Sequence, residues 1–210
     1  ISRNLFVMEP GWDRTRNYEG SFDHHVQKVY LQPLVEAIRA KTPVRDDQAR
    51  IAISLVQNIP YDWGRNKSVL CQGCFMPYAT LHTQRGICMD KSILMAYLLR
   101  ELGYDVALLS FPQENHMAVG IRTAPPYDYR NSGYAFIEST QPALPTYSGW
   151  IVLRSTPIVE KVQGRDYQFD SIIEEYNDVR QIELLRNKSN QNPVDLGSIL
   201  ERYRIMSKYG

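Results

Sequence analysis

The 210-residue chain has no excess of either charge, because 24 Lys and Arg residues stand against 23 Asp and Glu residues, a formal net charge of +1. Binding to nucleic acid or to a membrane surface needs a concentrated basic field, so the charge balance supports neither partner. The sequence also lacks a run of about 18 apolar residues, the length required to cross a bilayer. It shows no internal repeat, and its content of 43% hydrophobic and 22% charged residues is that of a globular protein.

Cysteine is scarce, with Cys71, Cys74 and Cys88 as its three occurrences. An odd count favours two paired cysteines and one reactive thiol. The spacing of Cys71 and Cys74 fits a local disulfide, which we favour, but also a redox pair, bystander thiols or half of a zinc site completed by His82 and Cys88. A disulfide would indicate a location outside the cytosol. Because the sequence begins at Ile1 rather than Met, we also expect an upstream segment, either a signal peptide, a membrane anchor or another domain.

We predict three parts, namely an N-terminal helical extension (1–45), a core (46–155) and a C-terminal accessory segment packing on that core (156–210). Apolar periodicity predicts a helix over 22–40, kinked or divided at Pro33, and a second helix from Asp46 to before Pro60. Residues 61–87 show no sustained period and are expected to be irregular. A short strand is expected over 3–8.

The clearest helix is predicted from Cys88 to Leu102, because the segment is rich in helix formers and Gly103 follows as a natural C-terminal cap. It is apolar almost all round, which indicates burial in the middle of a domain. Strands are then predicted at 105–110, 116–122 and 134–139, with further candidates at 150–153 and 158–162. Residues 170–186 fit either a helix or a strand, and 193–209 a helix. A helix followed by an antiparallel sheet indicates an α+β fold.

Cys88 lies where a cysteine nucleophile would be activated. At the N-terminus of a helix, free N–H groups and the helix dipole favour the thiolate, and the same N–H groups can bind an oxyanion. Gly86 is expected to let the backbone turn sharply and to leave room for substrate. The alternative interpretation is a small buried cysteine that only packs.

His116 and Glu138 supply the other two groups that such a nucleophile needs. His116 begins a strand whose residues Met117, Val119 and Ile121 should pack on the helix, with the other face turned outward. Glu138 lies at the end of the next strand, from which it can accept the imidazole N–H and orient the ring. Either residue alone could be purely structural, but the order of helix with Cys, strand with His and strand with acid connects all three.

These segments resemble the transglutaminase-like superfamily, which shares the papain-like fold, and most closely its prokaryotic cysteine proteinases. Gly86-Ile-Cys-Met-Asp-Lys91 resembles the superfamily's GxCxD segment, His116-Met-Ala-Val its histidine strand, and Tyr134-Ala-Phe-Ile-Glu-Ser-Thr its W-x-x-x-D-P-T segment. The resemblance covers about residues 46–142. It departs from the pattern in having Glu rather than Asp as the third residue and Met after the histidine. We interpret Asp90 as a helix cap and ion-pair partner rather than a catalyst.

The resemblance implies a papain-like core in which the Cys-bearing helix packs on an antiparallel sheet, with Cys88, His116 and Glu138 as a catalytic triad. It implies acyl transfer through a thioester on a protein or peptide substrate, without a metal or organic cofactor. We favour hydrolysis, as in a peptidase or amidase, over cross-linking by a transglutaminase, because the sequence shows no sign of a tunnel that excludes water. Gln84, Tyr61 and Trp63 are candidates for the second oxyanion donor. The rival hypotheses are a non-catalytic binding module that retains the fold and a zinc protein.

Overall fold

The computed structural model describes residues 22–66, 75–148, 151–162, 165–191 and 195–209. The helices in these ranges are α1 (His25–Lys41), α2 (Arg45–Gln57), α3 (Trp63–Asn66), α4 (Pro77–Thr83), α5 (Cys88–Glu101), α6 (Ile172–Gln191) and α7 (Leu196–Met206). The strands are β1 (Val106–Phe111), β2 (His116–Arg122), β3 (Tyr134–Ile137) and β4 (Ile158–Val162). The order of helices before an antiparallel sheet makes the fold α+β.

Helix α5 is the centre of the core, and every residue from Asp90 to Arg100 is buried. The carboxylate of Asp90 accepts the backbone N–H of Ile87 at 3.0 Å, which satisfies one of the free donors at the start of the helix. At the other end Gly103 adopts a φ of +108° and donates to the carbonyl of Arg100 at 2.9 Å. This left-handed residue stops the helix, as a C-terminal glycine commonly does.

The four strands form one antiparallel sheet in the order β3-β2-β1-β4. One face packs on α5 through the predicted set of β2 side chains, Met117, Val119 and Ile121. The opposite face does not turn outward as the sequence suggested. It is covered by a second apolar cluster, whose members are Leu109, Phe111, Ala118, Phe136 and Leu153. Strands β1, β2 and β3 are therefore buried on both faces, whereas β4 is mostly exposed. Ile151 and Leu153 cover the second face from non-strand chain, where a strand was predicted.

Residues 61–87, predicted to be irregular, contain the short helices α3 and α4. Pro77 lies in the first turn of α4, where its missing N–H has no partner to lose and its fixed φ suits the helix. At seven residues, α4 is too short for a helical period to be visible in the sequence. Residues 67–74, and with them the predicted pairing of Cys71 with Cys74, lie outside the described residues, as does the strand predicted over 3–8.

Helix α1 differs from the sequence expectation, and α6 decides a segment that the sequence left ambiguous. Helix α1 continues through Pro33 without being divided. The ambiguous segment 170–186 is helical from Ile172 onward, as part of α6, and the side chain of Arg50 on α2 anchors this helix through an ion pair of 2.6 Å with Glu175. Strand β4 also comes from the C-terminal segment and pairs with β1, so this segment contributes to the sheet. None of the helices in the described ranges is long and apolar enough to span a membrane.

Candidate active site

Cys88 is the first residue of α5 and carries a free, partly exposed thiol. The segment before it is held by the chain that leaves α2. Gly86 donates its N–H to the carbonyl of Pro60 at 3.3 Å and accepts the N–H of Asp62 at 3.1 Å. This short parallel pairing places Tyr61, the residue between those two partners, beside Cys88.

The register of the sheet sets His116 and Glu138 on the same side. Val119 pairs with Ile137, so one further step places Glu138 opposite Ala118, two residues from His116. Such diagonal neighbours are within reach of each other when the side chains are long. The His116 Nε2 atom lies 3.0 Å from Glu138 Oε2, which leaves Nδ1 as the ring nitrogen available to the hydrogen bond with Cys88.

The second oxygen of Glu138 is also satisfied. Oε1 accepts the backbone N–H of Thr140 at 2.7 Å and its hydroxyl at 2.6 Å. The carboxylate is completely buried, and the His116 side chain is only 8% exposed. A buried carboxylate with every oxygen occupied cannot rotate away from the imidazole, and it therefore fixes the ring's orientation.

The surroundings of His116 and Glu138 shift the pKa of both groups. Burial alone would lower the pKa of His116, but the hydrogen bonds to Cys88 and Glu138 and the negative charges of both raise it to about 9. Burial would raise the pKa of Glu138, yet the hydrogen bond and charge of His116, together with the Thr140 donors, hold it below its usual value. At neutral pH the His116 ring is therefore protonated and faces an ionised Glu138.

Tyr61 is the one oxyanion candidate that contacts Cys88. Its hydroxyl lies beside Cys88 and interacts with both the side chain and the backbone of that residue. Burial and the negative charge of Cys88 raise the pKa of Tyr61 to about 12. The phenol consequently stays protonated at neutral pH and can act as a donor.

Trp63 and Gln84 occupy more peripheral places. The Trp63 ring lies 4.7 Å from the Tyr61 ring, centroid to centroid, and the residue is 67% exposed. Gln84 is exposed and ends α4 in a left-handed conformation, with a φ of 51°. Its role in the structure is therefore to end a helix, a position where this conformation is common.

Asp90 has the structural position expected of a cap rather than a catalyst. Besides accepting the N–H of Ile87, it accepts the N–H of Phe75 at 2.7 Å and forms an ion pair with Arg65. These contacts hold the chain on both sides of the Cys88 turn. Arg65 and Phe75 were not indicated by any sequence motif, since both come from the stretch without periodicity.

Gly86 is required for a reason that the sequence did not reveal. Its backbone is not in the left-handed region, but a Cβ atom there would lie 3.0 Å from the Asp90 Cβ and 3.1 Å from the Thr80 Cγ2. A left-handed backbone therefore does not explain this glycine, and close packing is the constraint that the structure shows.

We expect Gly86→Ala to lower the free energy of unfolding by about 1–3 kcal/mol, the usual cost of overpacking. Urea denaturation followed by circular dichroism measures it. Gly64→Ala is the matched control, because the nearest atom to its added Cβ is the Asp62 carboxylate oxygen at an ordinary 3.4 Å. Equal stability of the two variants would contradict the packing argument.

Part of the chain is similar to a known protein family. Residues 24–127 match the family model for a transglutaminase-like domain. This range includes α1 to α5 and both Cys88 and His116, whereas Glu138 and β3 lie beyond its end. Searches of the curated proteins and of the solved structures gave no match.

The zinc hypothesis named His82 and Cys88 together with the two cysteines outside the described residues. In the structure the His82 ring stacks on Tyr78 at a centroid distance of 5.7 Å. Cys88 interacts with His116 and Tyr61. Across the described ranges, the His, Cys, Asp and Glu side chains form no group of three or more that could hold a metal ion.

Proposed function

We propose that this protein is a cysteine-dependent acyl-transfer enzyme of the papain-like type, related to transglutaminase-like cysteine proteinases, and that it hydrolyses a peptide or carboxamide bond. The observation that carries the proposal is the position of His116 between Cys88, with which its ring interacts, and Glu138, whose Oε2 lies 3.0 Å from its Nε2. A nucleophile, a base and a group that orients the base are the three parts that covalent catalysis requires. A purely binding module would not need all three.

The first half of the reaction forms a thioester. The Cys88 thiolate attacks the carbonyl carbon, a C–S bond forms, and the carbonyl electron pair moves to oxygen. The N–H of Cys88 and the hydroxyl of Tyr61 lie beside the sulfur and can donate to that oxygen. When the C–N bond breaks, the His116 imidazolium gives its proton to the leaving nitrogen.

The second half returns the enzyme to its starting state. His116, now neutral, takes a proton from water as the water oxygen attacks the thioester carbon. The C–S bond breaks, the acid product leaves, and the Cys88 thiolate faces an imidazolium again. Glu138 remains ionised throughout, because its buried hydrogen bonds favour the charged form.

The acceptor can be tested directly. The full chain is mixed with a glutamine-containing protein and a labelled primary amine, with Cys88→Ala as the control. Hydrolysis predicts new acid products, either cleaved peptides or deamidated glutamine, that depend on Cys88 and carry no label. Stable incorporation of the amine would instead establish cross-linking. The absence of both products in the wild type, combined with a Cys88 thiol that reacts no faster than free cysteine at pH 6, would reject the enzyme and favour the binding module.

We propose a protein or peptide as the substrate and no bound cofactor for the chemistry. We keep the predicted division of the chain into three parts, with the catalytic core at 46–155. A location outside the cytosol depends on the disulfide between Cys71 and Cys74. Mass spectrometry of the non-reduced protein tests this pairing, because the disulfide lowers the mass by two hydrogens and blocks alkylation of both residues.

A further inference from the structure

Lys91 is a completely buried lysine one helical turn after Cys88. Its ammonium donates to three backbone carbonyls, those of Ile59 at 2.6 Å, Thr140 at 3.1 Å and Gln57 at 3.2 Å. An ammonium has three protons, so its hydrogen-bonding capacity is filled. None of the three acceptors is a carboxylate, and the lysine therefore joins pieces of backbone rather than forming an ion pair.

Two of these carbonyls lie where α2 ends. The last carbonyls of a helix have no partner within the helix and carry the negative end of its dipole, so a cation is favourable there. The same chain continues through Pro60 to Tyr61. Lys91 thus holds the start of the segment that brings the Tyr61 hydroxyl to Cys88.

The third carbonyl belongs to Thr140, the residue that binds the carboxylate of Glu138. Thr140 gives both its N–H and its hydroxyl to Glu138 Oε1 while its carbonyl is held by Lys91. Gln57 reinforces this connection, because its Nε2 donates to the backbone carbonyl of Glu138 at 2.8 Å and to that of Ala143 at 2.9 Å. The segment that carries Glu138 is therefore fixed to α5 and α2 by buried side chains.

Packing alone does not account for a lysine at this position. Taking an ammonium out of water is costly, and an apolar residue of similar length would fill the space without that cost. Burial accordingly lowers the pKa of Lys91 to about 8, an effect that the charge of Glu138 opposes. What the lysine provides and methionine cannot is the three donors.

We propose that Lys91 is a positioning residue that fixes Glu138 and Tyr61 relative to Cys88, and thereby sets the geometry of the Cys88–His116–Glu138 group. This inference rests on the proposed function for its significance, but it concerns geometry that can be measured without a substrate.

The test compares wild type with Lys91→Met in the full chain. The pKa of His116 is measured by NMR titration of its ring, and the rate of Cys88 alkylation by iodoacetamide at pH 6. We expect the pKa of His116 to fall by about one pH unit or more, because a loosened Glu138 stabilises the imidazolium less. We expect alkylation to slow as well, because a displaced His116 ring holds its positive charge farther from the sulfur. If the lysine acted only through its charge, its removal would raise the pKa of His116, so the sign distinguishes the two roles.

Tyr104→Phe is the matched control. It removes another buried hydrogen bond, that of the Tyr104 hydroxyl to Asp46 Oδ1 at 2.7 Å, beyond the opposite end of α5. The control should lose stability but leave both readouts unchanged. If Lys91→Met does not fold, Lys91→Gln replaces it, since its amide keeps two donors on a side chain one bond shorter; a fall in the pKa of His116 is again expected.

The outcomes separate the two proposals. An unchanged or raised pKa of His116 in the Lys91 variants overturns the positioning role, whatever the enzyme does. If the wild type gives neither product and its Cys88 reacts no faster than free cysteine at pH 6, the proposed function is rejected, while a fall in the pKa of His116 in the Lys91 variants still supports the positioning role.

Discussion

A Glu138→Gln variant is expected to lose about 10³- to 10⁴-fold in kcat/KM, the range seen when a triad carboxylate becomes an amide. The reason is the tautomer of His116. Glu138 Oε2 accepts from Nε2, so Nδ1 is the nitrogen that exchanges a proton with Cys88. The glutamine oxygen would take the place of Oε1 against the two Thr140 donors, and its NH₂ would then face Nε2. This nitrogen would have to accept, which puts the proton on Nδ1 and blocks the base.

The measurement is kcat/KM on the amide substrate that wild type turns over, with the rate of Cys88 alkylation at pH 6 as a readout that needs no substrate. Glu138→Asp is the informative control, because it keeps the charge and shortens the reach by one methylene. It should retain more activity than Glu138→Gln although it fits the cavity less well. A loss of less than about tenfold in Glu138→Gln would show that His116 does not depend on the carboxylate for its tautomer.

The parts of the fold that could be predicted are those encoded by local residue patterns in the sequence. Helix α5 was visible because nearly every residue is a helix former and Gly103 ends it, and β2 because apolar residues alternate from His116 to Arg122. The α+β class followed from the order of these elements. The proximity of Cys88 to His116 followed from that order alone. Strand β1 runs back along the buried helix, so β2 begins near the helix N-terminus.

The parts that the sequence could not reveal depend on contacts between distant residues. Lys91 reaches carbonyls 32 to 49 positions away, and no periodicity in the chain encodes such pairs. Tyr61 was named from an unpatterned stretch, and only its pairing beside Gly86 distinguishes it from Trp63 and Gln84. The alternation of β2 predicted an exposed second face, but residues 151–153 cover it, and coverage by a non-strand segment leaves no signal in the strand itself.

A signal for Thr140 was present but could not be assigned. A hydroxyl residue two positions after an acid commonly bonds that acid in a local turn, as Thr140 does with Glu138. The same local pattern is frequent in ordinary loops, so it predicts a turn and not a catalytic support. The buried partner Lys91 is what makes Thr140 part of the site, and that contact is tertiary.

A Tyr61→Phe variant is expected to lower kcat about 100-fold, the effect of removing one oxyanion donor. The hydroxyl lies beside Cys88, where the proposed mechanism places the carbonyl oxygen, and with a pKa of about 12 it is protonated at neutral pH. Alkylation of Cys88 by iodoacetamide should change little, because that reaction develops no oxyanion. A large fall in turnover with a nearly constant alkylation rate is therefore the distinguishing result.

Trp63→Phe is the matched control, because it alters the packing against the Tyr61 ring and keeps the Tyr61 hydroxyl. The Trp63 ring contacts the Tyr61 ring but is mostly exposed, so turnover should stay within about twofold of wild type. A rise in kcat, instead of a fall, would also be informative. The phenol also interacts with the backbone of Cys88, whose N–H a substrate carbonyl would need, so a rise in kcat on Tyr61→Phe would mean that the hydroxyl covers the oxyanion site. In that case Tyr61 restrains the nucleophile, and the oxyanion is bound by backbone N–H groups of α5 alone.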